Sequence, residues 1–105
     1  MNMLSPDTTM DAARRQLALR FAALSHPVRI EILQHLALHD ACCCGDVVQR
    51  LDLAQSTISQ HLKVLVEAGL VTYRPDRPRS RYSVNREALA GLSDSVATLV
   101  KSCCR

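Results

Sequence analysis

The chain has no tryptophan, and Phe21, Tyr73 and Tyr82 are its only aromatic residues. Aliphatic side chains must therefore fill any core, a composition that favours helices. Long apolar runs are missing as well. The longest uncharged stretch, Leu53 to Leu62, is ten residues long and over half polar, far from the roughly 20 apolar residues that a membrane span requires. Met1 to Asp7 lacks the charged-then-apolar order of a secretory leader. A cytoplasmic setting without membrane contact is the expectation. With 105 residues, 48% hydrophobic and 22% charged, the chain reads as one folded domain.

A disulfide framework is also missing. The five cysteines, Cys42, Cys43, Cys44, Cys103 and Cys104, are odd in number and adjacent in sequence, which argues for reduced thiols with metal or redox chemistry. No internal repeat or low-complexity tract occurs. Net charge is +3, unevenly spread. Residues 56–86 carry Lys63, Arg74, Arg77, Arg79, Arg81 and Arg86 against Glu67 and Asp76, while the remainder holds seven bases against eight acids. A local basic surplus is the footprint of a phosphate-binding face, with a solvated loop as the bland alternative.

Residues 1–10 read as a flexible lead-in, and residues 11–105 as the domain. Leu17, Phe21 and Leu24 predict a helix over 11–24. Ser25 as a cap and Pro27 in the first turn predict a second helix over 26–38. Its apolar set, Val28, Ile30, Ile32, Leu33 and Leu36, suggests burial on more than one side. The cysteines Cys42 to Cys44 fall in a break over 40–45. Asp46 with Gln49, or Cys43 with Asp46, has capping-box spacing for a third helix ending near Leu51.

A fourth helix over 55–68 buries Ile58, Leu62, Leu65 and Val66. Gly69 suits a left-handed C′ position, with Leu70 folding back on Leu65. Short β runs over 70–74 and 81–84 flank a turn-rich linker, making a hairpin that must lean on the helices. Asn85 caps a last helix in which Leu89, Leu92, Val96, Leu99 and Cys103 form a heptad seam that wants a partner helix.

A short helix, a tight turn and a helix with a polar N-terminal half make a helix-turn-helix, whose second helix enters the major groove. Gln55, Ser56, Thr57, Ser59, Gln60 and His61 can read base edges, and Lys63 a phosphate or guanine. Arg74, Arg77, Arg79 and Arg81 on the hairpin can reach flanking backbone or minor groove.

Leu24-Ser25-His26-Pro27-Val28-Arg29 with Ile32-Leu33, then residues 53–65, then Ala68-Gly69-Leu70-Val71, resemble the arsenic-repressor (ArsR/SmtB) family of winged-helix regulators over roughly residues 12 to 101. The resemblance implies a mainly α fold with a small β-hairpin, in the order α-α-α-α-β-β-α. It also implies a homodimer built through the first and last helices, bound to an imperfect inverted repeat of double-stranded operator DNA until an effector releases it. Ala54 departs from the pattern by standing where many members carry a serine cap, which leaves Ser56 or Asp52 to compensate.

Arsenite-sensing members place C-V-C-D where this chain has Cys43-Cys44-Gly45-Asp46, so Cys43 matches the first ligand and Gly45 replaces the second. Three thiolates suit As(III) or Sb(III). The candidate set is Cys42, Cys43 and Cys44 with Cys103 or Cys104, the last two similar to the vicinal pairs of some family members. No metal is expected to be needed for folding. The alternative is a persulfide- or oxidant-sensing repressor of the same fold. Such members link a cysteine of the second helix to one near the end of the last, where Cys104 fits, and since Gln34 stands at the first place, Cys42, Cys43 or Cys44 would have to substitute. His35 with His39 has the one i, i+4 spacing suited to zinc. A small thiol enzyme or metal carrier is disfavoured, because the chain has C-C-C and C-C in place of C-x-x-C.

Overall fold

The computed structural model describes residues 7–39, 42–76 and 79–104. Five helices and three strands follow in order: α1 (Asp7–Ala23), α2 (Pro27–Leu38), β1 (Cys42–Cys43), α3 (Cys44–Leu51), α4 (Gln55–Glu67), β2 (Val71–Asp76), β3 (Arg79–Val84) and α5 (Arg86–Cys103). This is the expected order with one strand added. Of the expected lead-in, residues 7–10 are helical and Met1–Pro6 lie outside the described residues.

The eight largest fully buried side chains among the described residues are aliphatic: Ile32 and Leu36 of α2, Val47 of α3, Ile58, Leu62 and Leu65 of α4, then Leu70 and Val71. Each such burial contributes about 1.5–3 kcal/mol. Ala23, Ala88 and Leu92 bring α1 and α5 onto the same core. No polar or charged residue is buried among the described residues. The expectation that α2 is buried on more than one side is only partly met, since Ile30 is 44% exposed. Neighbouring elements cover the Ile32–Leu36 side alone.

The boundaries follow local chemistry. Pro27 excludes α conformation from the residue before it, so His26, at φ −131° and ψ 129°, is the N-cap of α2 in place of the expected Ser25. Its Nδ1 accepts from the Val28 N–H at 3.1 Å, while Ser25 Oγ donates back to the Ala22 carbonyl at 2.6 Å. At the end of α4, Leu70 N–H donates to Leu65 O and Gly69 N–H to Val66 O, with Gly69 at φ 80°. That is the Schellman geometry its sequence predicts. Asn85 caps α5 by accepting from Ala88 N–H at 3.1 Å and also donates to the Gly69 carbonyl at 3.0 Å.

Three helix C-termini are closed by arginines from other elements. Arg29 Nε donates to Ala23 O at the end of α1 (2.7 Å), Arg86 Nη2 to Ala37 O near the end of α2 (3.3 Å), and Arg20 Nε to Ala68 O at the end of α4 (3.2 Å). Each guanidinium meets orphan carbonyls at the negative end of a helix dipole.

The sheet runs in the order β1-β3-β2, antiparallel throughout. The hairpin therefore does not lean on helices alone. The two-residue β1 pairs with β3 in the register Cys42↔Tyr82 and Cys43↔Arg81, placing the cysteine segment against the hairpin.

Candidate nucleic-acid interface and cysteine segment

The burial of Ile58, Leu62 and Leu65 fixes which way α4 faces. Gln55, Ser56, Thr57, Ser59, Gln60 and Lys63 are all left exposed. His61 is half-buried instead. Its ring lies 4.5 Å from that of His26, and Arg29 Nη1 stands 3.3 Å from its Nδ1. An arginine only donates, so Nδ1 accepts and the imidazole is neutral. Burial first, then the nearby His26 and Arg29, hold its pKa below the ordinary value. Ala54 gives α4 no side-chain cap, and neither Ser56 nor Asp52 supplies one. Asp52 is engaged as the left-handed C-cap of α3, at φ 55°.

Strand alternation divides the hairpin into two faces. Tyr73 and Tyr82 pair across one, with ring centroids 5.3 Å apart, and Tyr73 Oη lies 2.9 Å from Ser80 Oγ. Arg74 and Arg81 are direct cross-strand partners on the other, both exposed. Like charges directly opposite are mutually unfavourable. Arg79 stands opposite Asp76 in the register. Arg77 lies outside the described residues.

The three consecutive cysteines meet different neighbours. Cys42 is paired in the sheet. Cys43 is 7% exposed and occupies the N-cap of α3, its N–H donating to Asp46 Oδ2 at 3.2 Å. Cys44 begins α3, half-buried, with Sγ 3.5 Å from Ser59 Oγ on α4. A cleft of about 600 Å3 opens between these elements, lined by Cys43, Cys44, Gln55, Ser59, Ser80 and Tyr82. Burial, then Cys44 and Tyr73, raise the Tyr82 phenol above its ordinary pKa.

Cys103 and Cys104 are exposed at the end of α5. Among the described residues, no three histidine, cysteine or acidic side chains of one chain stand together as a metal site. The His35 and His39 rings lie 4.7 Å apart. Burial, then His39 and Arg50, lower the pKa of His35 against the opposing pull of Asp46.

The polar helix, its preceding turn and the arginine-bearing hairpin define a winged helix-turn-helix, in which α4 is the recognition helix and β2–β3 the wing. A family model described as a helix-turn-helix domain matches residues 24–74. The chain is 33% identical over 86 residues to an arsenical resistance operon repressor of Bacillus subtilis, covering 82% of each chain. Among solved structures it resembles an ArsR-like transcriptional regulator from Rhodococcus, with a TM-score of 0.78 and 26% identity over 87% of this chain and 85% of the other. It also resembles a homodimeric winged helix-turn-helix DNA-binding domain from Mycobacterium bovis, with a TM-score of 0.74 and 25% identity over 100% and 94%. The chain belongs to the ArsR/SmtB family of DNA-binding transcriptional repressors. No helix among the described residues is long and apolar enough to cross a membrane.

Three contacts were not visible in the sequence. A two-residue strand carries no periodicity, and the Cys44–Ser59 and Arg29–His61 contacts join residues 15 and 32 positions apart. Tyr73, 48% exposed on the wing, is a further polar-tipped residue, on the face opposite the basic pair.

Proposed function

We propose that two copies of the chain bind an imperfect inverted repeat of double-stranded DNA and release it when the cysteines take up a thiophilic metalloid, As(III) or Sb(III). The observation that carries this reading is the union of the polar face of α4, the Arg74–Arg81 pair and the cysteine segment in one contiguous structure. Gln55, Ser56, Thr57, Ser59 and Gln60 would meet base edges. Lys63, Arg74, Arg77, Arg79 and Arg81 would meet phosphate or guanine. His61 would hold the recognition helix on α2 through Arg29 and His26.

Dimerisation through α1 and α5 is supported by what these helices leave uncovered. Met10, Leu19, Phe21, Leu99 and Val100 are all more than 40% exposed, and a largely apolar cleft of about 500 Å3 runs between the two helices beside Met10, Leu17 and Leu99. The M. bovis relative's homodimeric state supports the same arrangement. Two recognition helices would then meet half-sites about one DNA turn apart.

Soft thiolates suit trivalent arsenic and antimony. The donors would come from Cys42, Cys43 and Cys44, completed by Cys103 or Cys104 of the same or the other copy. Because Cys43 is buried and caps α3, its capture must disturb β1 and the start of α3. A coupling of about 1–3 kcal/mol is enough for useful induction. The test is a DNA mobility shift with arsenite, antimonite, cadmium, zinc and a polysulfide in parallel, using a duplex that the protein itself enriches from a random pool. Release by arsenite or antimonite is the expected result. Release by polysulfide alone would assign redox sensing instead.

A further inference from the structure

We propose that Cys44 is a positioning residue for the recognition helix: its thiol holds Ser59 and so sets how α4 presents its polar face to DNA. This rests on the DNA-binding face proposed above and adds a residue that lies behind that face. The core fixes which face of α4 turns inward through Ile58, Leu62 and Leu65, but aliphatic contacts are non-directional and leave small rotations about the helix axis to other contacts. Directional contacts trim that remaining freedom. Toward its C-terminal half, α4 has the Arg29 contact on His61 and the Arg20 contact on Ala68. At its start, Ala54 provides no side-chain cap, and the tether there is Cys44 Sγ, 3.5 Å from Ser59 Oγ.

The position of Cys44 makes this contact conditional. It follows Cys43, which is paired with Arg81 of the wing and caps α3. Displacement of the cysteine segment therefore withdraws the tether on Ser59 and the strand pairing beside Arg81 together. Both DNA-facing elements are disturbed within one copy, with no change in the spacing of two copies required.

The test is a double-mutant cycle on the full chain, read by fluorescence anisotropy with the enriched duplex and no effector present. Cys44→Ala is expected to weaken binding about three- to tenfold, and the same substitution in a Ser59→Ala background to change it less than about 1.5-fold. Cys44→Ser, whose hydroxyl can still exchange a hydrogen bond with Ser59, should recover most of the affinity. Wild-type binding by Cys44→Ala, or equal weakening in both backgrounds, overturns the proposal. If circular dichroism shows that Cys44→Ala does not fold, Cys44→Val, of similar volume and without a donor, takes its place under the same criteria. Failure of the wild-type chain to enrich any duplex overturns the DNA-binding reading itself, whereas failure of the cycle alone removes only the role of Cys44.

Discussion

Arg20 of α1 donates from Nε to the carbonyl of Ala68, joining the first helix to the far end of the recognition helix across 48 positions of sequence. The same guanidinium closes over Gly69, where an added Cβ would lie 3.3 Å from Arg20 Nη2. Arg20→Ala should cost about 1 kcal/mol in urea unfolding, the value of one hydrogen bond at a helix C-terminus. Gly69→Ala should cost about 1–2 kcal/mol, because φ is 80° there and a side chain in that region is strained. Stabilities within a few tenths of wild type for both variants would show that this end of α4 is held by packing alone.

The wing pair predicts opposite signs for binding and stability. Arg74→Gln removes one positive charge per copy, two per dimer, that faces DNA in the proposed complex, so the slope of log K against log salt should fall by about 1.8. It also relieves the cross-strand repulsion with Arg81, so the free protein should melt no lower, and about 0.2–1 kcal/mol of stabilisation is available. Salt titrations and thermal melts on the one variant check both. An unchanged salt slope would take Arg74 out of the interface.

Acid should destabilise the fold. The pKa of His61 is held below its ordinary 6.5 by burial, His26 and Arg29, and that of His35 by burial, His39 and Arg50 against Asp46. For a histidine lowered in this way, the unfolded chain takes up the proton first as pH falls. Stability is therefore fully present above 6.5 and lost as pH drops through that value toward the folded-state pKa. Melting temperature should decline between about pH 7.5 and 5.5, and His61→Gln should flatten part of the decline. A melting temperature that rises with acid would contradict the neutral imidazole inferred from Arg29.

Asn85 joins two elements with one side chain, capping α5 and bonding the Gly69 carbonyl. Asn85→Ala should cost about 1–2 kcal/mol, and Asn85→Ser, which retains the cap alone, about half of that. Equal losses for the two would assign the whole effect to the bond with Gly69.

The parts legible in the sequence were those written in neighbouring residues. The aliphatic spacing of α4 placed its buried and polar faces, Gly69 marked its end, and Asn85 marked the start of α5. His26 was missed as a cap because Ser25 is the better capping side chain, yet Pro27 decides which residue is extended. The exposure of Ile30 was missed because burial depends on what packs against a helix. The candidate site divided along the same line. The polar residues of α4 and the arginines of the wing were visible one by one, whereas β1 and the tether of Cys44 to Ser59 exist only once α3 has crossed α4 and the hairpin has folded back.

Burial of Cys43 within a two-residue strand also bears on dose. Under the proposed ligation chemistry, drawing this 7%-exposed thiol into a three-thiolate site displaces β1, so the apparent affinity is the intrinsic one scaled by the fraction of molecules whose ladder is open. The strength of a very small sheet would then set the trigger level. Loosening it makes the switch answer to trace amounts, and reinforcing it leaves the same ligands deaf to all but a flood.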